Sequence, residues 1–174
     1  FDTTGNPYAG GSSPTSYNID NVGPTVSIGT PSATLTSSGP VSYLVTYGGA
    51  STVNLTPADV SLLSSGTATG VVGVSGTGAF TRTVSISSTS GDGTLQISVG
   101  SGTASDLAGN FADNAGPGVQ TVVDNLPPVI TILGNQTDHI FQGVPYSDPG
   151  ATALDAREGN ITARISATGS VNSN

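Results

Sequence analysis

Ten of the eleven acidic residues in this chain are aspartates, and Glu158 is the single glutamate. The short aspartate side chain suits turns and close oxygen coordination, whereas glutamate suits the solvated face of a helix. Asp2 and Asp106 each open an Asp-x-x-Gly-Asn segment, and Asp20 and Asp124 are each followed directly by asparagine. Plain backbone chemistry accounts for the first pattern as an Asx-type turn with its glycine in the left-handed region. Catalytic groups are harder to assemble. His139 is the only imidazole; it falls in a strand-like segment, and no Gly-x-Ser-x-Gly elbow accompanies it. Asp148, Asp155 and Glu158 could supply paired carboxylates for glycoside hydrolysis, but they sit in turn-rich loops without the aromatic residues that line sugar sites. The chain therefore reads as non-catalytic.

The rest of the composition narrows the partners. The 174 residues carry a formal net charge of −8, with no lysine and only Arg82, Arg157 and Arg164 as fixed cations. Nucleic acid binding needs clustered cations, and so does electrostatic attachment to an anionic bilayer, so neither partner is expected. No apolar run approaches the length of a transmembrane helix, so membrane insertion is not expected either. Cysteine, methionine and tryptophan are absent, while glycine, serine, threonine, valine and alanine dominate. Alternating apolar runs broken by Gly/Pro turns point to an all-β protein rather than to disorder.

Those runs set the elements. Strands are expected at 25–28, 41–47, 52–55, 61–63, 69–74, 80–86, 94–99 and 119–123, with a single helical turn at 56–60. This is the signature of an antiparallel two-sheet sandwich. Tyr43 and Tyr47, spaced by strand periodicity with Val41 and Val45, are expected in its core. Arg82 shares a face with Phe80, Val84 and Ile86, where an unpaired guanidinium would be costly to bury. That face is therefore expected to meet solvent, or the head to reach the sheet edge. Further strands are expected at 129–133, 139–141, 151–154 and 161–167.

The chain also repeats itself. Asp2-Thr-Thr-Gly-Asn6 and Asp20-Asn21-Val22-Gly23-Pro24 recur as Asp106-Leu-Ala-Gly-Asn110 and Asp124-Asn125-Leu126-Pro127-Pro128 at one offset of 104 residues. A period of about one sandwich domain implies tandem modules. Residues 1–21 read as the closing strand of a preceding or neighbouring module, 22–125 as a complete module, and 126–174 as an incomplete second one. Pro127-Pro128 favours an extended, semi-rigid connection.

The boundary motifs resemble those of bacterial Ig-like tandem modules in large secreted surface and adhesin proteins, as does the turn Ser87 to Leu95. Tyr146-Ser-Asp-Pro-Gly-Ala-Thr-Ala153 and Asp155 through Thr162 are similar to a distinct bacterial Ig-like group related to hyalin repeats. The resemblance spans nearly the whole chain. It implies Ig-like sandwiches in tandem, an extracellular or bacterial cell-surface location, and a structural role in a rod, stalk or filament. It also implies calcium at module boundaries, with Asp2, Asp20, Asp106, Asp124 and Asp155 as the ligands. Calcium takes six to eight oxygens at roughly 2.4 Å, which carboxylates, Asn amides and carbonyls can supply. On that expectation Asp106 and Asp124 meet the loop holding Asp155, while Asp2 and Asp20 meet Asp59 or Asp92. Partners are expected to be neighbouring modules of the same polypeptide or other copies. In the second case residues 1–19 would complete a neighbour's unfinished module by donor-strand complementation. The alternative role is a ligand-binding adhesin module, with Arg157, Glu158 and His139 as its surface.

Overall fold

The computed structural model describes residues 3–5, 16–135, 141 and 143–169. Two four-stranded sheets face each other between Thr25 and Val123. The first runs in the order β1 (Thr25–Ile28), β3 (Val41–Gly48), β7 (Thr81–Ser90), β6 (Thr69–Ser75). The second runs β2 (Leu35–Thr36), β10 (Thr121–Val123), β8 (Gly93–Val99), β5 (Val60–Ser64). Neighbours are antiparallel except β2 and β10, which run parallel with Val122 opposite Leu35. A small pair, β4 (Thr52–Val53) with β9 (Ala104–Ser105), closes one end. This is an all-β, Ig-like sandwich.

Strand alternation builds its core. Val41, Tyr43, Val45 and Tyr47 point inward from β3, and Leu95, Ile97 and Val99 answer them from β8. The buried phenols are satisfied. The Tyr43 hydroxyl donates to the Val119 carbonyl at 2.9 Å and that of Tyr47 to Thr103 Oγ1 at 3.1 Å. Burial raises both phenol pKa values above the ordinary one, with the Thr103 bond opposing the rise at Tyr47.

Arg82 departs from the first of its two expectations, a solvent-facing side, while its head does reach the rim of the sandwich. Its face, with Val84 and Ile86, is the core face, and the residue is only 8% exposed. The guanidinium donates to the carbonyls of Val53 and Gly78, both at 2.7 Å, and of Thr81 at 2.8 Å. Carbonyls at the sandwich end substitute for the solvent the head was expected to seek. Phe80, by contrast, lies outside the strand and is exposed.

The expected helical turn is a 3-10 turn at Pro57–Asp59, where one Asp59 carboxylate oxygen accepts from the Thr56 N–H and hydroxyl. The second module shows β11 (Val129–Ile132), β12 (Ala151–Asp155) and β13 (Gly159–Asn160) in one antiparallel sheet. Val129, Ile130, Ile132 and Leu154 stay largely exposed on it. The strand expected at 161–167 is instead a 3-10 turn at Thr162–Arg164. Asn160 Oδ1 accepts the Thr162 N–H, and Arg164 N–H bonds back to the Ile161 carbonyl, so local bonds override the apolar alternation. Of the segment expected at 139–141, only Phe141 is among the described residues, and it is not in a strand. No helix among the described residues is long and apolar enough to cross a membrane.

Candidate functional site: the two module boundaries

Strand register places the five aspartates. Val123 pairs with Gly93 at one end of β8, and Val99 bridges Ala115 at the other. Seven strand residues, roughly 20 Å, therefore separate the Asp124 end of the sandwich from the Asp106 end.

At the Asp106 end the turn closes on itself. Asn110 donates its backbone N–H to Asp106 Oδ1 and its side-chain amide to Oδ2, both at 2.9 Å. These bonds, the side-chain one foremost, hold the Asp106 carboxyl below the ordinary carboxylate pKa. The same Asn110 amide donates to the Asp20 backbone carbonyl at 2.9 Å, so the turn grips the chain as it enters the module. Asp20 Oδ1 accepts the Val22 N–H at 3.0 Å. Leu107, at the tip of the turn, is 95% exposed.

At the other end the centre is a residue that the boundary motifs do not contain. Asp92, in the turn between β7 and β8, accepts the backbone N–H of Asn125 at 2.8 Å and of Leu126 at 3.3 Å through Oδ1. Asn125 returns its side-chain amide to the Gly91 carbonyl at 2.9 Å. That turn is itself set against the turn joining β5 to β6. Thr67 N–H donates to the Asp92 carbonyl, and Asp92 N–H to Thr67 Oγ1. Gly91 (φ +75°) allows the approach, since a Cβ there would collide with the Thr67 carbonyl. From the second module, Arg157 Nε stands 3.9 Å from Asp124 Oδ2, and Ala156 and Arg157 complete a crevice with Asp92, Asp124 and Leu126.

Asp155 is buried and turned into its own loop, accepting the N–H groups of Glu158 and Arg157, both at 2.8 Å. Those bonds, Glu158's first, lower its pKa. The structure thus brings Asp124 to the loop that holds Asp155, with Arg157 between, and puts Asp106 beside Asp20 instead. Asp92 belongs to the Asp124 end, so it does not serve Asp20; Asp59 lies at the Asp20 end. Asp2 lies outside the described residues, as does His139. Among the described residues no group of three histidines or acids converges to hold a metal ion. Of the expected recognition surface, Arg157 faces the boundary and Glu158 binds Arg164 Nη1 at 2.6 Å.

With this geometry in place, comparison with known proteins adds one finding. Residues 130–174 match the family model for a bacterial surface protein, Ig-like domain. The second module is thus similar to the Ig-like modules of bacterial surface proteins. No curated protein and no solved structure matches the chain.

Proposed function

We propose that this chain is a non-catalytic stretch of an extracellular bacterial rod, in which each Ig-like module fixes the direction of the next. The carrying observation is the clamped linker, in which Asp92 and Gly91 hold both backbone and side chain of Asn125 just ahead of Pro127-Pro128. A linker bonded to the module before it and followed by two prolines transmits orientation, where a free tether would lose it.

Small-angle scattering of the full chain tests the rod. A fixed elongated envelope is expected, loosened by Asp92→Ala combined with Asn125→Ala; identical scattering before and after would remove the clamp from the reading. Calcium is proposed as a second brace at the same boundary, because Asp92 and Asp124 flank one linker with the Asp155 loop behind Arg157. Melting in millimolar Ca²⁺ should then exceed melting in EGTA. Coincident melts would leave the hydrogen-bonded clamp alone.

A further inference from the structure

The two boundaries are related sequences seen from opposite sides. Asp20-Asn21 and Asp124-Asn125 correspond at the 104-residue offset, as do Pro24 and Pro128. At Asp124-Asn125 the preceding module is present, and it holds the asparagine. At Asp20-Asn21 the following module is present, and it holds the aspartate's carbonyl through Asn110. In the second module the following side again reaches the aspartate, there through Arg157 on Asp124.

Resting on the rod reading, we infer that a complete boundary is a two-sided lock whose Asn is held by the module before and whose Asp is held by the module after. The occupant of the Asp20 end of residues 22–125 is therefore another module of that same kind, bearing a Gly-Asp turn like Gly91-Asp92 and closing with residues 17–19, which align with β10 at the 104-residue offset. Three observations support this occupant. First, Tyr17 and Ile19 are 84% and 83% exposed, while their counterparts Thr121 and Val123 in the complete module are 0% and 1% exposed. Residues 17–19 thus align by the repeat with a buried strand but stand exposed themselves. Second, the surface beside it is apolar: Leu107, Phe111 and Val22 are all exposed around the Asn110–Asp20 bond. Scattered exposed apolar side chains are ordinary, but a set of them at a chain-entry point marks a docking face. Third, Gly23 is bare because a Cβ there would strike the Phe111 carbonyl, which seats the Asp106 turn directly against the boundary. Its counterpart Pro127 carries a side chain, and the second module reaches its boundary through Arg157 instead.

The test is an extended chain made of residues 1–125 followed directly by residues 22–174, which builds one complete Asp-Asn-Val-Gly-Pro boundary inside a single polypeptide. The natural chain has no cysteine, so one introduced thiol reports alone. Leu107→Cys is placed in either the first or the second copy and alkylated. The second-copy thiol, covered by the preceding module, should react about tenfold more slowly than the first-copy thiol. Asn110→Ala in the second copy should restore the rate. Leu44→Cys, on the outer face of β3, should react equally in both copies and shows that both are folded. Equal rates at position 107 in two folded copies would overturn the lock. Scattering of the same chain separates the two readings. Equal rates with a fixed elongated shape remove the lock and leave the rod, whereas slowed labelling in a flexible chain removes the rod and leaves the docking surface.

Discussion

Arg82 shows what a single residue can hide from a sequence. Its alternation with Val84 and Ile86 is plain, and the cost of burying a bare guanidinium argues for an outward face. The Val53 carbonyl that helps remove this cost lies 29 residues away on another strand. The nearby Gly78 and Thr81 carbonyls reach the head only through the turn they share, which alternation does not announce. Charge-assisted bonds to three carbonyls, that of Val53 buried, make the residue a structural pin. Arg82→Ala is expected to lower unfolding free energy by about 2–4 kcal/mol in urea titration, because the carbonyls lose their donor. A loss below about 1 kcal/mol would show that water replaces the guanidinium without cost. Tyr43 and Tyr47 were legible by contrast. Period-two spacing among valines needs no distant partner to be read, and both lie in the core.

Among the elements, legibility followed length. β3 and β7 run eight and ten residues and declare themselves by alternation. β2 and β9, two residues each, are defined by what they pair with and carry no pattern of their own. The same applies to the turn between β7 and β8. Its Gly-Asp-Gly sequence marks a turn, but its hold on Asn125 depends on β8 and β10 pairing in register with Gly93 opposite Val123. The prediction at this scale concerns that hold. Asp92→Ala should speed amide exchange at Asn125 and Leu126 by about tenfold, the weight of roughly 1.4 kcal/mol, while the amides of β8 keep their protection. Asp92→Asn, which keeps an acceptor oxygen, should fall between. Unchanged exchange at both amides would mean that Pro127-Pro128 alone orders the linker.

For the whole molecule, titration should bound stability on both sides. The carboxyls of Asp59, Asp106 and Asp155 lie below their ordinary pKa of 3.8 because N–H and O–H donors favour the charged form. Their contribution is complete above 3.8 and is lost as pH falls through the lowered folded values. The phenols of Tyr43 and Tyr47 lie above their ordinary 10.0, so theirs is complete below 10.0 and lost as pH rises through the raised values. Thermal melts should thus show a plateau across neutral pH with a fall on each side. Melting that keeps rising below pH 3 would show relief of the −8 net charge outweighing the three carboxylates. The parallel pairing of β2 with β10 has a different consequence. Chain entry at Asp20 and exit at Asp124 lie at opposite ends of the sandwich, and β10 is tied to residues 33–36 by the bonds of Thr121, Val122 and Asp124. Tension along a rod would draw these two segments past each other lengthwise, loading all the bonds between them at once. The module would then resist stretching as a lap joint does, with no single bond exposed to be peeled first.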